Sequence, residues 1–119
     1  MKDVNLLSSN GVNVEQSLEL LGDMETYDEI LEEFISGSDE RISNMKEYKE
    51  AADMPNYAIL AHSLKSDSKY LGFSKLAELA YQHEMESKAN NIEFINNDYE
   101  ELMKEVNKII TLANEYLGK

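Results

Sequence analysis

The sequence predicts an all-α fold, an antiparallel up-down four-helix bundle with a short extra N-terminal helix. Three observations carry that reading. Apolar residues recur at alternating spacings of four and three over most of the chain, which is one buried stripe per helix. Glycine, proline and asparagine fall where those stripes break. No alternating apolar–polar run bounded by turns, the pattern of a half-buried strand, occurs anywhere. Long amphipathic helices on short links pack as antiparallel neighbours.

Met1 to Val12 contains Ser8-Ser9-Asn10-Gly11 and no sustained period, so residues 1–12 read as a lead-in and 13–119 as the bundle domain. Asn13 is placed to cap a short helix, with Gln16 at the reciprocal capping-box position. Val14, Leu18 and Leu21 give that helix one apolar face, and Gly22 is its stop. Asp23 caps a longer helix whose early Glu25 and Asp28 suit its positive end. Tyr27, Leu31, Phe34, Ser38, Met45, Tyr48 and Ala52 keep the rhythm there, and Ile30, Ile35 and Ile42 widen the stripe. Gly37 costs roughly 1 kcal/mol against alanine inside a helix, but the period resumes in phase after it. One helix with a bend is expected.

Asp53-Met54-Pro55 starts the next helix, with proline where its missing N–H is harmless, and Gly72 ends it. Ser74 is the expected cap of the following helix, which buries Leu76, Leu79, Ala80, His83 and Ser87 and breaks at Asn90-Asn91. The last helix carries Ile95, Tyr99, Leu102, Val106, Ile109, Ala113 and Tyr116 in unbroken alternation.

At 119 residues the chain suits one domain with its own core. Lys and Arg total 11 against 24 Asp and Glu, a net charge of −13 that argues against nucleic acid as a partner. There is no cysteine, so disulfides and thiolate metal sites are excluded. No apolar run approaches the roughly 18 residues that span a bilayer, and the amino terminus lacks an apolar signal core. A cytoplasmic monomer is expected, since one bundle accounts for every apolar stripe.

The stretch from Ala61 to Gly72 stands apart. Tyr57, Ala61, Leu64, Ser68 and Leu71 form a seam, and His62 lies one step off it, at the edge of the buried stripe. Lys65 and Ser66 follow His62 on the same face, and Lys69 extends that face by another turn. An imidazole nucleophile with an ammonium one turn away suits a phosphoryl group. Ala61-His62-Ser63-Leu64-Lys65 followed by Leu71-Gly72 resembles the signature of histidine-containing phosphotransfer (HPt) domains, Ala-His-x-Leu-Lys-Gly with a later glycine. The resemblance runs from about Val14 to Leu117, with Ser66 standing where the family has glycine.

Gly72 separates two antiparallel helices, so residues equidistant from it lie level. His62 is ten before it and Glu84 twelve after. Glu84 lies one past the seam position His83, as His62 lies one past Ala61, so Glu84 rather than Gln82 faces the imidazole. A carboxylate holding the proton of one ring nitrogen leaves the other nitrogen's lone pair outward. Lys65 supplies positive charge for the phosphoryl oxygens, and Lys69 and Lys88 add to the field. Tyr81 sits one turn before Glu84. A docking patch is expected around His62, including Ala58, Ser66 and Lys69, with Met85 at its edge.

No Gly-rich phosphate loop or paired-glycine ATP lid is present, so autonomous kinase activity is not expected and no cofactor is called for. The resemblance implies a phosphorelay carrier on His62, working with receiver domains of response regulators or a hybrid sensor histidine kinase. The other reading is a degenerate module that docks such domains without accepting phosphate. Metal is not expected: the Glu-x-x-His tetrad of di-iron bundles is missing, and His83-Glu84 lacks a second histidine. His83 itself reads as a core-edge histidine, hydrogen-bonded to backbone.

Overall fold

The computed structural model describes residues 2–119 and is all-helical, with no strand among them. The elements are α1 (Val4–Ser9), α2 (Val14–Leu21), α3 (Met24–Glu50), α4 (Met54–Leu71), α5 (Ser74–Lys88) and α6 (Ile92–Leu117). The four long helices make the expected antiparallel bundle. At about 1.5 Å per residue, the 27 residues of α3 and 26 of α6 account for the 43 Å long axis. The hairpin of α4 and α5 is shorter, and α2 packs against α3 and α4.

The stripes read from the sequence are the core. Tyr27, Leu31, Phe34 and Met45 of α3 meet Tyr57, Ala61, Leu64 and Leu71 of α4, Leu76 and Ala80 of α5, and Ile95, Leu102, Val106 and Ile109 of α6. Helix α3 runs unbroken through Gly37 and stops at Glu50, so Ala52 lies beyond it, in a turn at φ 54°.

Three local expectations are corrected. Of the expected lead-in, the described residues 2–12 are not featureless: Asp3 caps α1 by accepting the Asn5 N–H at 3.0 Å, and Leu7 is fully buried. A six-residue helix is too short to display a period, and its packing on α6 decides it. Ser74 does not cap α5; Phe73 holds that position without a side-chain cap bond, because its ring is buried against Phe34 at 5.7 Å. Asn13 does cap α2, but Gln16 answers its side-chain amide at 3.3 Å, because the Asn13 N–H is taken by the Gly72 carbonyl at 2.8 Å.

Candidate functional site

The α4–α5 hairpin is closed by Gly72 at φ 80°, where the Phe73 N–H reaches the Ser68 carbonyl at 2.9 Å. The Tyr27 hydroxyl donates to the Leu71 carbonyl at 2.7 Å and ties the turn to α3. This turn sets the level at which residues of α4 and α5 meet.

Across it, His62 Nδ1 lies 2.8 Å from Glu84 Oε2. The His62 side chain is 58% exposed and that of Glu84 only 3%. Glu84 also pairs with Lys88 Nζ at 2.8 Å through Oε2 and with Lys65 Nζ at 2.9 Å through Oε1. Burial pushes the Glu84 carboxyl up, but the bonds from Lys65, Lys88 and His62 outweigh it and hold the pKa at about 2. Glu84 is therefore an acceptor at any physiological pH, and His62 must donate Nδ1–H to it. The lone pair then sits on Nε2, on a ring open to solvent.

Two ammonium groups against one carboxylate leave a local positive excess in a chain of net charge −13. Lys65 lies 5.5 Å above the Tyr81 ring, which holds its long side chain beside the imidazole. With Nδ1–H on Glu84, the imidazole presents Nε2 outward beside a carboxylate that two ammonium groups share, an arrangement suited to a phosphoryl dianion. Among the described residues, no group of three or more His, Asp or Glu side chains is placed to hold a metal ion.

Two hollows flank His62 along the hairpin. One, of about 670 Å³, is lined by Met54, Pro55, Ala58, Ile59, Lys88 and neighbours, and opens onto His62 and Glu84. The other, of about 440 Å³, lies between Leu20 of α2, Lys69 and Tyr81. Lys69 thus stands away from the Glu84 cluster, on the rim of the second hollow. Ser66 is half-buried one turn beyond His62, and Met85 is exposed. Ala58, expected on an exposed patch, is buried, because its single methyl sinks between the close-packed helices as the floor of the first hollow. The exposed apolar side chain there is Ile59, which lies off the helix's apolar seam and so gives no periodic signal in the sequence.

His83 is a second departure. It is fully buried, and its nitrogens meet side chains rather than backbone: Nδ1 faces the Tyr57 hydroxyl at 2.8 Å and Nε2 faces Asp98 Oδ2 at 3.0 Å. Burial holds its pKa below the ordinary imidazole value although Asp98 pulls the other way. The sequence did carry a hint: Tyr57 and His83 both occupy seam positions, and buried polar atoms need partners.

The Hpt domain family model matches residues 29–111, from within α3 to within α6. The chain belongs to the Hpt domain family. The matched span includes His62, Lys65 and Glu84. The chain is also 25% identical over 95 residues to the phosphorelay intermediate protein rdeA of Dictyostelium discoideum, covering 80% of this chain and 37% of that protein. It therefore spans little more than a third of that relative's length. No solved structure matches it. Hpt domains are phosphotransfer carriers that interact with receiver domains and kinases, and the two matches support histidine phosphotransfer in a phosphorelay over a docking module that has lost it. No helix of the described residues is long and apolar enough to cross a membrane.

Proposed function

We propose that His62 is the phosphoacceptor of this Hpt domain and carries a phosphoryl group between receiver aspartates. The observation that carries this is the 2.8 Å contact of Nδ1 with a buried, ionised Glu84 on an imidazole that is otherwise open to solvent. Nε2 attacks the phosphorus of a receiver's aspartyl phosphate. The N–P bond forms, the P–O bond to the aspartate breaks, and the carboxylate leaves with its electron pair. The ring keeps its Nδ1 proton and becomes cationic, and Glu84 stands beside it as counter-charge. Lys65 and Lys88 offset the charge of the phosphoryl oxygens. Reversal of the same steps delivers the group to a second receiver.

The partner is expected to dock on the α4–α5 face, over Ile59 and Ala58 on one side of His62 and over Ser66, Lys69, Tyr81 and Met85 on the other. No kinase activity of its own, a monomeric state and a cytoplasmic location belong to the same reading, with residues 13–119 as the domain. The test is phosphoryl transfer from a panel of phosphorylated receiver domains of the same organism. Wild type should gain an acid-labile, base-stable adduct that His62→Gln does not. Receivers that bind without leaving an adduct would instead make the chain a docking module.

A further inference from the structure

Helices α4 and α5 are tied together through adjacent residues of α5, Glu84 with His62 and Lys65, and His83 with Tyr57. Successive helix residues point about 100° apart, so α5 cannot turn about its axis to move one without moving the other. Glu84 has no partner on α6: beyond His62 it pairs with Lys88 on its own helix and with Lys65 of α4. His83 is held from two sides, by Tyr57 of α4 and by Asp98 of α6. Phe94 of α6 packs edge-on against its ring at 5.5 Å. Ser87 adds a local brace, its hydroxyl lying 2.6 and 2.9 Å from the carbonyls of His83 and Glu84.

We propose that His83, clamped between Tyr57 and Asp98, is a positioning residue that fixes the rotation of α5 and so keeps the Glu84 carboxylate on Nδ1 of His62. The clamp is directional. A neutral His83 accepts from the Tyr57 hydroxyl at Nδ1 and donates Nε2–H to Asp98, so both nitrogens are satisfied in one tautomer only. Loss of either tether lets α5 turn, and the first thing displaced is the bond that fixes the tautomer of His62. The inference builds on His62 as phosphoacceptor, but its structural half stands without it.

The test uses Tyr57→Phe, which removes one hydroxyl and keeps the ring, Asp98→Ala at a partly exposed site, and the double variant. Asp98→Asn is the control, since its side-chain oxygen still accepts from Nε2–H. Imidazole ¹⁵N spectra report the tautomer of His62. Transfer from a receiver domain charged with acetyl phosphate reports kcat and KM. In wild type His62 should be held as the Nδ1–H form. The double variant should shift it toward a tautomer mixture and lower kcat roughly 10-fold, as loss of an orienting outer partner does, with KM unchanged and Asp98→Asn close to wild type. A double variant that melts lower but keeps the wild-type tautomer and rate overturns the proposal and leaves His83 as core packing. A tautomer shift in a protein that never becomes phosphorylated would uphold the clamp and remove the phosphoacceptor reading.

Discussion

Lys65 Nζ lies 2.9 Å from the Glu84 oxygen that His62 does not use, so one carboxylate serves the imidazole and the ammonium through different atoms. Glu84 can thus orient the nucleophile while the lysine stays beside it. Glu84→Ala should leave two ammonium groups without their counter-charge and His62 without its Nδ1 acceptor. Phosphoryl transfer is expected to fall by roughly 10- to 100-fold, while Glu84→Gln, which keeps an acceptor oxygen, loses less. Single-turnover transfer from a phosphorylated receiver measures both.

The same carboxylate makes stability depend on acid. Its folded pKa of about 2 lies below the ordinary 4.5, so the unfolded chain binds the proton first as pH falls. The contribution is complete above about pH 4.5 and is lost between there and pH 2. Its size is roughly 3 kcal/mol at neutral pH by the linkage relation. Denaturant unfolding from pH 6 to pH 2.5 should show this slope in wild type and a shallower one in Glu84→Gln.

His83 acts at higher pH with the same sign. Burial lowers its folded pKa from 6.5, so below about pH 6.5 the unfolded state takes up a proton that the native state refuses. Stability should fall as pH drops from 7.5 to 5.5, and His83→Gln should flatten that part of the curve. Chemical unfolding at the two pH values checks it.

Two glycines should respond in opposite directions to alanine. A Cβ on Gly72 would lie 2.5 Å from the Asn13 carbonyl oxygen, at a φ of 80° that side chains rarely adopt. Backbone cannot yield as a side-chain tip can, so Gly72→Ala should destabilise by about 2 kcal/mol or more. A Cβ on Gly37, inside α3, meets nothing within 4 Å. Gly37→Ala should stabilise by roughly 1 kcal/mol. Thermal melts separate the two cases.

Ser66 is half-buried on the His62 face of α4, where the family pattern has glycine. Its hydroxymethyl group adds bulk on that face that glycine lacks. Ser66→Gly should speed transfer from a receiver, at a stability cost of about 0.5 kcal/mol for glycine inside a helix. Paired measurements of kcat/KM and of unfolding show both effects.

The long helices, their phases and the level at which His62 meets Glu84 were all legible in the chain's period and its glycines. Helical period is a local property, and a tight glycine turn between two antiparallel helices leaves little freedom in which residues lie level. The weaker readings were all places where local chemistry was overruled from a distance. Ser74 gave up the cap because Phe73 is anchored in the core, and residues 4–9 form a helix because Leu7 is buried in the core beside α6. Packing among the helices settled that His83 bonds Tyr57 and Asp98, that Lys65 and Lys88 share Glu84 while Lys69 stands apart, and that Ala58 is floor and Ile59 rim. Those outcomes depend on the rotation of each helix about its own axis. Three helices packed together set that rotation, and no single periodic stripe encodes it.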